Sequence, residues 1–441
     1  MRNRRSAIAL LVLLTACLMG FVAYNLPPVH ERLSWRLADL RARLYYALNP
    51  PQEVVFIPQE QQALVEAIVQ ATLAALQPPA TPTLPATLAP LPTQLGPTAT
   101  PQPSPTATPS PTPIPEKVIL SGLVHEYQQM NNCGPATLAM ALSFWGWQGD
   151  QRDTRLFLRP NFATVDDKNV SPEEMVVFVE RFTGLKALVR VGGEIDLIKR
   201  LVAAGFPVII EKGFQPPKED WMGHYEVING CDDSRSRFIA QDSYIMADFP
   251  LPYDQVAGRW WRDFNYTYLV IYPPEREAEA LAALGPHADP QYNYQQTAQK
   301  ALEEIAVLTG RDLFFAWFAR GTNLVALEEY PAAAQAYDQA FAVYAGLPRE
   351  ERPWRTLWYQ SGPYAAYYHS GRYQDVISLA NTTLSFLSQP VLEETFYWRG
   401  LAKDGLGDTE GALTDLSKAA SLNPNFSLAV EALRSRGAEV P

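Results

Sequence analysis

The stretch NNCGPATLAM, residues 131–140, places one of the three cysteines of the chain directly before an apolar segment. Leu138, Leu142 and Trp145 recur at helical spacing, and proline is tolerated in a first helical turn, so the pattern predicts a helix beginning at or just after Cys133. The positive end of a helix dipole stabilises a thiolate. Cys133 is therefore either a small buried residue at a helix cap or a nucleophile, and a nucleophile needs a base.

The segment HYEVINGCDDSRSRFIAQDSY, residues 224–244, offers that base. It is interpreted as a β-hairpin with strands at 224–229 and 238–242 around the turn GCDDSRS. In a symmetric register, His224 and Asp242 face each other with Cβ atoms about 5.5 Å apart. A carboxylate can orient an imidazole, which can then deprotonate a thiol and later protonate a leaving amine.

Helix and strand signals alternate around these residues. The sequence Ser171-Pro-Glu-Glu174 is a capping box that predicts the start of a helix. EIDLIKRLVAAG predicts another helix, and FPVIIEK a buried strand. We therefore expect residues 116–275 to form an α+β domain of the papain type, with cysteine at a helix start, histidine at a strand start and an acid on the next strand.

These residues resemble the bacteriocin-processing cysteine peptidases, family thirty-nine of the papain-like clan, and their stand-alone peptidase-like relatives. The resemblance rests on YQQMNNCGPATLAM, GHYEVINGCDD and AQDSY, taken in order. It implies thiol-dependent hydrolysis of amide bonds, with Cys133, His224 and Asp242 as the catalytic triad. Hydrolysis and amide or isopeptide transfer use the same thioester, so transfer is an alternative. A catalytically silent binding module is another.

The family also uses a glutamine before the cysteine to form an oxyanion hole with the backbone N–H of the cysteine. Gln128 is the predicted oxyanion residue and Gln129 the alternative, because transporter-linked members have glutamine where this chain has Tyr127. Many members cleave double-glycine leaders and are fused to exporters. This sequence has no nucleotide-binding loop, so leader processing is not expected of it.

Charge and cysteine content limit the remaining classes of function. The net charge of -11 argues against a nucleic-acid partner. The sequence has no His/Cys/Asp cluster at metal-ligand spacing, so neither a metal nor a cofactor is predicted. Cys231, in the predicted turn, is interpreted as structural or incidental, with a regulatory disulfide to Cys133 as the alternative.

The N-terminal region predicts the location of the protein. Three arginines within the first five residues precede an apolar run, so residues 1–28 are expected to be a basic flank and a single membrane-spanning helix, with the bulk of the chain extracytoplasmic. The alternative is cleavage, including lipoprotein processing at Cys17. Residues 29–77 are expected to form juxtamembrane helices, and the Pro/Thr-rich residues 78–115 a disordered stalk.

Residues 290–438 show weak internal similarity. Trp317 precedes Gly321 by four positions, as Phe396 precedes Gly400, and alanine follows each glycine twelve positions later. These spacings resemble the tetratricopeptide repeat, an all-α architecture, with a degenerate repeat between the two copies. The repeats are expected either to bind a peptide or protein partner in a groove or to cap the peptidase-like domain.

Overall fold

The structure, a computed structural model, describes residues 55–59, 114–160, 170–216, 220–387 and 390–441, with residues 14–15, 18–24, 26, 37, 40, 44 and 48 near the start. Residues 78–113 of the predicted stalk at 78–115 and most of the predicted segments 1–28 and 29–77 lie outside these residues. Within the described part, no helix is long and apolar enough to cross a membrane.

An antiparallel seven-stranded sheet forms the centre of the first domain. Its strands are β1 Lys117–Ile119, β2 Lys186–Arg190, β3 Val208–Phe214, β4 Met222–Asp232, β5 Arg237–Gln241, β6 Phe249–Pro252 and β7 Tyr268–Tyr272. The order is β2-β7-β3-β4-β5-β6, with β1 paired to β4. Strand β4 contacts β3 over its first half and both β1 and β5 over its second half, so it fixes the positions of the strands around it.

Helices cover both faces of this sheet. They are α1 Cys133–Phe144, α2 Gln151–Leu158, α3 Pro172–Phe182, α4 Ile195–Ala203 and α5 Glu277–Leu284. Helices α1 and α3 share a core with one face, and α4 and α5 with the other. The sequence predicted one apolar face for α1, but residues 134–142 are all buried, because the helix lies inside the domain. The Ser171–Glu174 capping box is confirmed at the start of α3.

The C-terminal region is helical throughout its regular structure. Its helices are α6 Pro290–Ile305, α7 Gly310–Ala326, α8 Tyr330–Gly346, α9 Gly362–His369, α10 Tyr373–Ser385, α11 Glu393–Gly405, α12 Thr409–Leu422 and α13 Ser427–Ser435. A methyl group on Gly321 would lie 2.7 Å from the Tyr337 ring, and one on Gly400 would lie 3.1 Å from the Ala412 carbonyl oxygen. The two glycines therefore allow α7 to approach α8, and α11 to approach α12, at close range.

The two domains share an apolar core. Trp221 and Phe264 of the first domain belong to the same buried cluster as Phe314 and Phe315 of α7. A polar contact reinforces the junction, since Asp263 accepts hydrogen bonds from the Arg311 guanidinium at 2.5 and 3.1 Å and from the Trp221 indole at 2.8 Å. The helical region is thus packed directly against the sheet domain.

A second contact joins the far end of the helical region to the other side of the first domain. Asn423 Nδ2 donates to Glu174 Oε1 at 3.0 Å, and Asn425 Nδ2 donates to the Phe157 carbonyl at 3.0 Å. Glu174 begins α3 and Phe157 ends α2. The helical region therefore contacts both the helices near Cys133 and the segment before His224.

Candidate active site

Cys133 is the first residue of α1 and is partly exposed. The preceding residue, Asn132, is fully buried at the N-cap position, but its side chain does not cap the helix. It donates instead to the Gln151 amide oxygen at 2.8 Å. The unpaired N–H groups of the first turn therefore remain beside the Cys133 thiol, where they favour negative charge.

The structure brings His224 and Asp242 together. His224 Nε2 lies 3.1 Å from Asp242 Oδ1, at an angle outside that of a linear hydrogen bond. The same carboxylate oxygen accepts hydrogen bonds from the backbone N–H groups of Tyr244 at 2.7 Å and Ile245 at 2.9 Å. These contacts hold the carboxylate in place at the edge of the imidazole.

The predicted hairpin register is wrong. Strand β4 continues to Asp232, and the turn is confined to residues 233–236. A register shift lies between Ile228 and Gly230, and Val227 pairs with Gln241, so Asp242 continues the ladder toward Glu226 instead of His224. Alternate residues of a strand share one face, and the Asp242 side chain therefore reaches His224 diagonally.

Charge couples the three candidate catalytic side chains. Burial disfavours the protonated form of His224, but the Asp242 carboxylate and the Cys133 sulfur together raise the pKa of His224 to about 10. Burial alone would raise the pKa of Asp242, but the charges of His224 and Lys212 hold it well below its usual range. The pair is therefore an imidazolium and a carboxylate at neutral pH.

Aromatic rings enclose the imidazole. The Phe214 ring stacks on His224 with centroids 4.6 Å apart, and Tyr244 approaches the same imidazole edge-on at 6.5 Å. His224 is 2% exposed and Asp242 is fully buried. Water is thus largely excluded from the pair, which strengthens the electrostatic interaction between them.

The structure separates the two candidate oxyanion glutamines. Gln128 lies beside the loop after Asp242, where its N–H donates to the Ser243 carbonyl and its Oε1 accepts from Ser243 Oγ, both at 2.9 Å. Gln129 faces α2, and its Oε1 accepts from Arg155 at 2.6 Å. Gln128 is therefore held next to the His224–Asp242 pair, whereas the Gln129 amide oxygen is bound elsewhere.

The structure contains a buried ion pair beside the imidazole that the sequence analysis did not predict. Lys212 is opposite His224 in the β3–β4 register, and its Nζ lies 3.0 Å from Glu226 Oε1. Lys212 is 6% exposed and Glu226 is fully buried. Burial raises the pKa of Glu226. The sequences FPVIIEK and HYEV do not predict this pair, because its formation depends on β3 and β4 being neighbours in the sheet.

Gln151, the first residue of α2, is a second element that the sequence did not indicate. Its Oε1 accepts from the N–H of Gln129 and from Asn132 Nδ2, both at 2.8 Å. Its Nε2 donates to Glu126 Oε2 at 3.0 Å and to the Tyr127 carbonyl at 2.9 Å. One buried amide therefore fixes the whole loop that leads to Cys133.

Cys231 was predicted to lie in a turn, but it lies in β4, where it pairs with Val118 of β1 and Phe238 of β5. It is fully buried in the core, and burial raises the pKa of its thiol. Both Cys133 and Cys231 are free thiols. In the part of the chain that the structure describes, no group of three His, Cys, Asp or Glu side chains could hold a metal ion.

Comparisons with known proteins concern the first domain. Residues 123–266 match the model of the Peptidase_C39 like family. A solved protein from Bacillus anthracis, described as a candidate C39-like peptidase, is similar over 36% of this chain and 98% of its own, with 18% identity and a TM-score of 0.30. No curated protein matches the chain. The family match supports a papain-like, C39-like domain at residues 123–266, followed by a large helical region.

Proposed function

We propose that the protein is a cysteine peptidase that hydrolyses amide bonds through Cys133, His224 and Asp242. One observation carries the proposal: the His224 imidazole interacts with the Cys133 sulfur and lies 3.1 Å from the Asp242 carboxylate. The Nε2 atom of the imidazole faces Asp242. Nδ1 is therefore the nitrogen that exchanges a proton with the thiol.

The reaction follows from these positions. His224 already carries the proton in the ion pair, so the Cys133 sulfur attacks the carbonyl carbon of the substrate as a thiolate. His224 then donates the proton to the leaving amine as the C–N bond breaks, leaving a thioester on Cys133. Water, deprotonated by the now neutral His224, attacks the thioester and releases the acid and the Cys133 thiolate. Asp242 orients the imidazole and balances its charge throughout.

The oxyanion formed in each step is assigned to Gln128 and the backbone N–H of Cys133. Ser243 holds the Gln128 oxygen, which leaves its amide Nε2 to donate. A preorganised donor of this kind stabilises the transition state more than the ground state. Gln129 is less suited, because its side chain is held at Arg155 on α2, whereas that of Gln128 is held at Ser243, the neighbour of Asp242.

The substrate is proposed to be a peptide or protein, and the helical region, with spacings like those of tetratricopeptide repeats, is proposed to bind polypeptide. We also propose single-pass attachment to the cell membrane with the bulk extracytoplasmic. That proposal rests on the three arginines and the apolar run at the N-terminus.

The first test compares alkylation of Cys133 and Cys231 in the folded full chain. At pH 7, iodoacetamide should label Cys133 at least about tenfold faster than the buried Cys231, because Cys133 is partly exposed and has an imidazolium partner. His224→Ala should slow the labelling of Cys133 at least about tenfold without changing that of Cys231, and Cys133→Ala should abolish hydrolysis of a peptide library. Full hydrolysis by Cys133→Ala would overturn the proposal. Slow labelling at both thiols would favour the binding module.

A further inference from the structure

An apolar recess in the helical region contains a piece of the N-terminal part of the chain. This recess, the aromatic groove, is lined by Phe314, Phe318, Phe341, Tyr344, Leu379 and Phe386. Phe56, in the segment VFIPQ at residues 55–59, forms part of its wall and packs in the same buried cluster as Phe314, Phe318 and Phe341. The segment is far in sequence from all the other residues of the lining.

Residues 55–58 bind as an extended strand would, with alternate residues facing inward, and Gln59 begins a helical turn. Phe56 is 8% exposed and meets Phe341 edge-on with ring centroids 5.1 Å apart, and Tyr367 at 6.2 Å. Pro58 is also buried, whereas Ile57 is 41% exposed and Gln59 is exposed. A period of two is the pattern of an extended peptide laid against a surface.

A polar contact fixes the far end of the segment. The backbone N–H of Gln59 donates to Asp375 Oδ1 at 3.0 Å. Asp375, on α10, is 2% exposed, and its second oxygen accepts from Arg372 Nε at 2.8 Å. A buried carboxylate that accepts from a main-chain N–H recognises the backbone and not a particular side chain, as sites for extended peptides do.

We propose that the aromatic groove is a binding site for an extended Phe-x-Pro peptide and that its occupant is residues 55–59 of the same chain. Phe56 fills the aromatic part, Pro58 the second apolar position, and the N–H of the next residue binds Asp375. The proposal does not depend on chemistry at Cys133.

The occupied groove changes how the N-terminal region relates to the folded domains. Residue 59 is bound to α10, and residue 117 begins β1, so residues 60–113 start and end on the same folded body. The described attachment point nearest in sequence to the apolar N-terminal run is therefore residues 55–59 and not β1.

Hydrogen exchange measured by mass spectrometry on the full chain tests the contact. The amides of residues 55, 56, 57 and 59 should exchange at least about tenfold slower in the wild type than in Phe56→Ala, which removes the inward ring. Ile57→Ala, at the neighbouring outward position, is the matched control and should keep the protection. Gln59→Pro, which removes only the donor N–H, should give a partial loss. Equal exchange in wild type and Phe56→Ala would overturn the proposal.

Crosslinking identifies the occupant. Benzoylphenylalanine at position 56 in the full chain should crosslink to peptides that contain Phe341 or Phe386. In a mixture of isotopically light and heavy chains, those products should be light–light or heavy–heavy only. Light–heavy products would show that the groove takes a second copy and would overturn the assignment of its occupant to the same chain. Crosslinks elsewhere would overturn the site itself.

Discussion

The proposed active site and the aromatic groove are two recesses of opposite construction. Lys212, His224, Glu226 and Asp242 are all nearly or fully buried next to Cys133. The aromatic groove is lined mainly by apolar rings, with Asp375 at one end. Removing charges from water costs several kcal/mol for each ion, whereas burying rings is favourable. Burying the charges of the proposed active site thus costs free energy, which is expected where charge takes part in chemistry. Burying the rings of the aromatic groove is favourable, as expected of a site that only binds.

The difference between the two recesses predicts which properties a substitution in each of them changes. A change among the charges should alter rates or stability strongly, because a partner charge is left uncompensated. A change at Phe56 should alter only the contact in the groove, and the rate of Cys133 alkylation should stay within about twofold of wild type.

The largest effect is expected from Asp242→Asn. An amide cannot balance the imidazolium, so peptide hydrolysis should fall about 10²- to 10⁴-fold in kcat with little change in KM. Asp254→Asn, at an exposed position in the same domain, is the control and should keep wild-type kinetics. Retention of most of the activity by Asp242→Asn would remove the carboxylate from the mechanism.

Next in size is the effect of Lys212→Met on stability. The substitution leaves Glu226 buried without its partner, which should lower the free energy of unfolding by about 3–5 kcal/mol. Removing both charges in Lys212→Met/Glu226→Leu should restore much of the loss. Denaturant unfolding of the single and double variants measures this, and equal losses would show that the ion pair is not coupled.

A smaller effect on kcat is expected to distinguish Gln128 from Gln129. Gln128→Ala should lower kcat about 10²- to 10³-fold by removing one oxyanion donor. Gln129→Ala is the matched control on the adjacent residue and should have a much smaller effect, since only its contact with Arg155 is lost. The reverse order would transfer the oxyanion role to Gln129.

The last prediction concerns how the stability depends on pH. Because the folded pKa of His224 is raised from 6.5 to about 10, its stabilising contribution is complete below pH 6.5 and is lost as the pH rises toward 10. The free energy of unfolding of wild type should therefore fall relative to that of His224→Gln between these values. Curves that stay parallel from pH 6 to 10.5 would contradict the raised pKa.

Local signals in the sequence predicted much of the fold. The capping box at Ser171 and the apolar run of β3 depend on neighbouring residues alone, and both elements form where expected. Gly321 and Gly400, at matched spacings, mark the close helix contacts of the helical region. The pairing of His224 with Asp242 was also predicted, although from an incorrect register.

The rest depends on contacts between distant segments. The register shift near Gly230 occurs where β1 lies against β4, and a methyl group on that glycine would be 2.8 Å from the Val118 carbonyl oxygen. The Lys212–Glu226 pair requires that β3 and β4 be neighbours. Phe56 lies in a segment whose partner is almost 300 residues away, so no local pattern could assign its position.

Trp221 has a consequence for how the protein unfolds. Three residues before His224, it stacks on Phe264 and meets Phe315 at a tilt, and Tyr359 lies where a side chain on Gly223 would go. A cut between the domains would expose these rings on both fragments. The sheet domain and the helical region should therefore melt in a single cooperative transition.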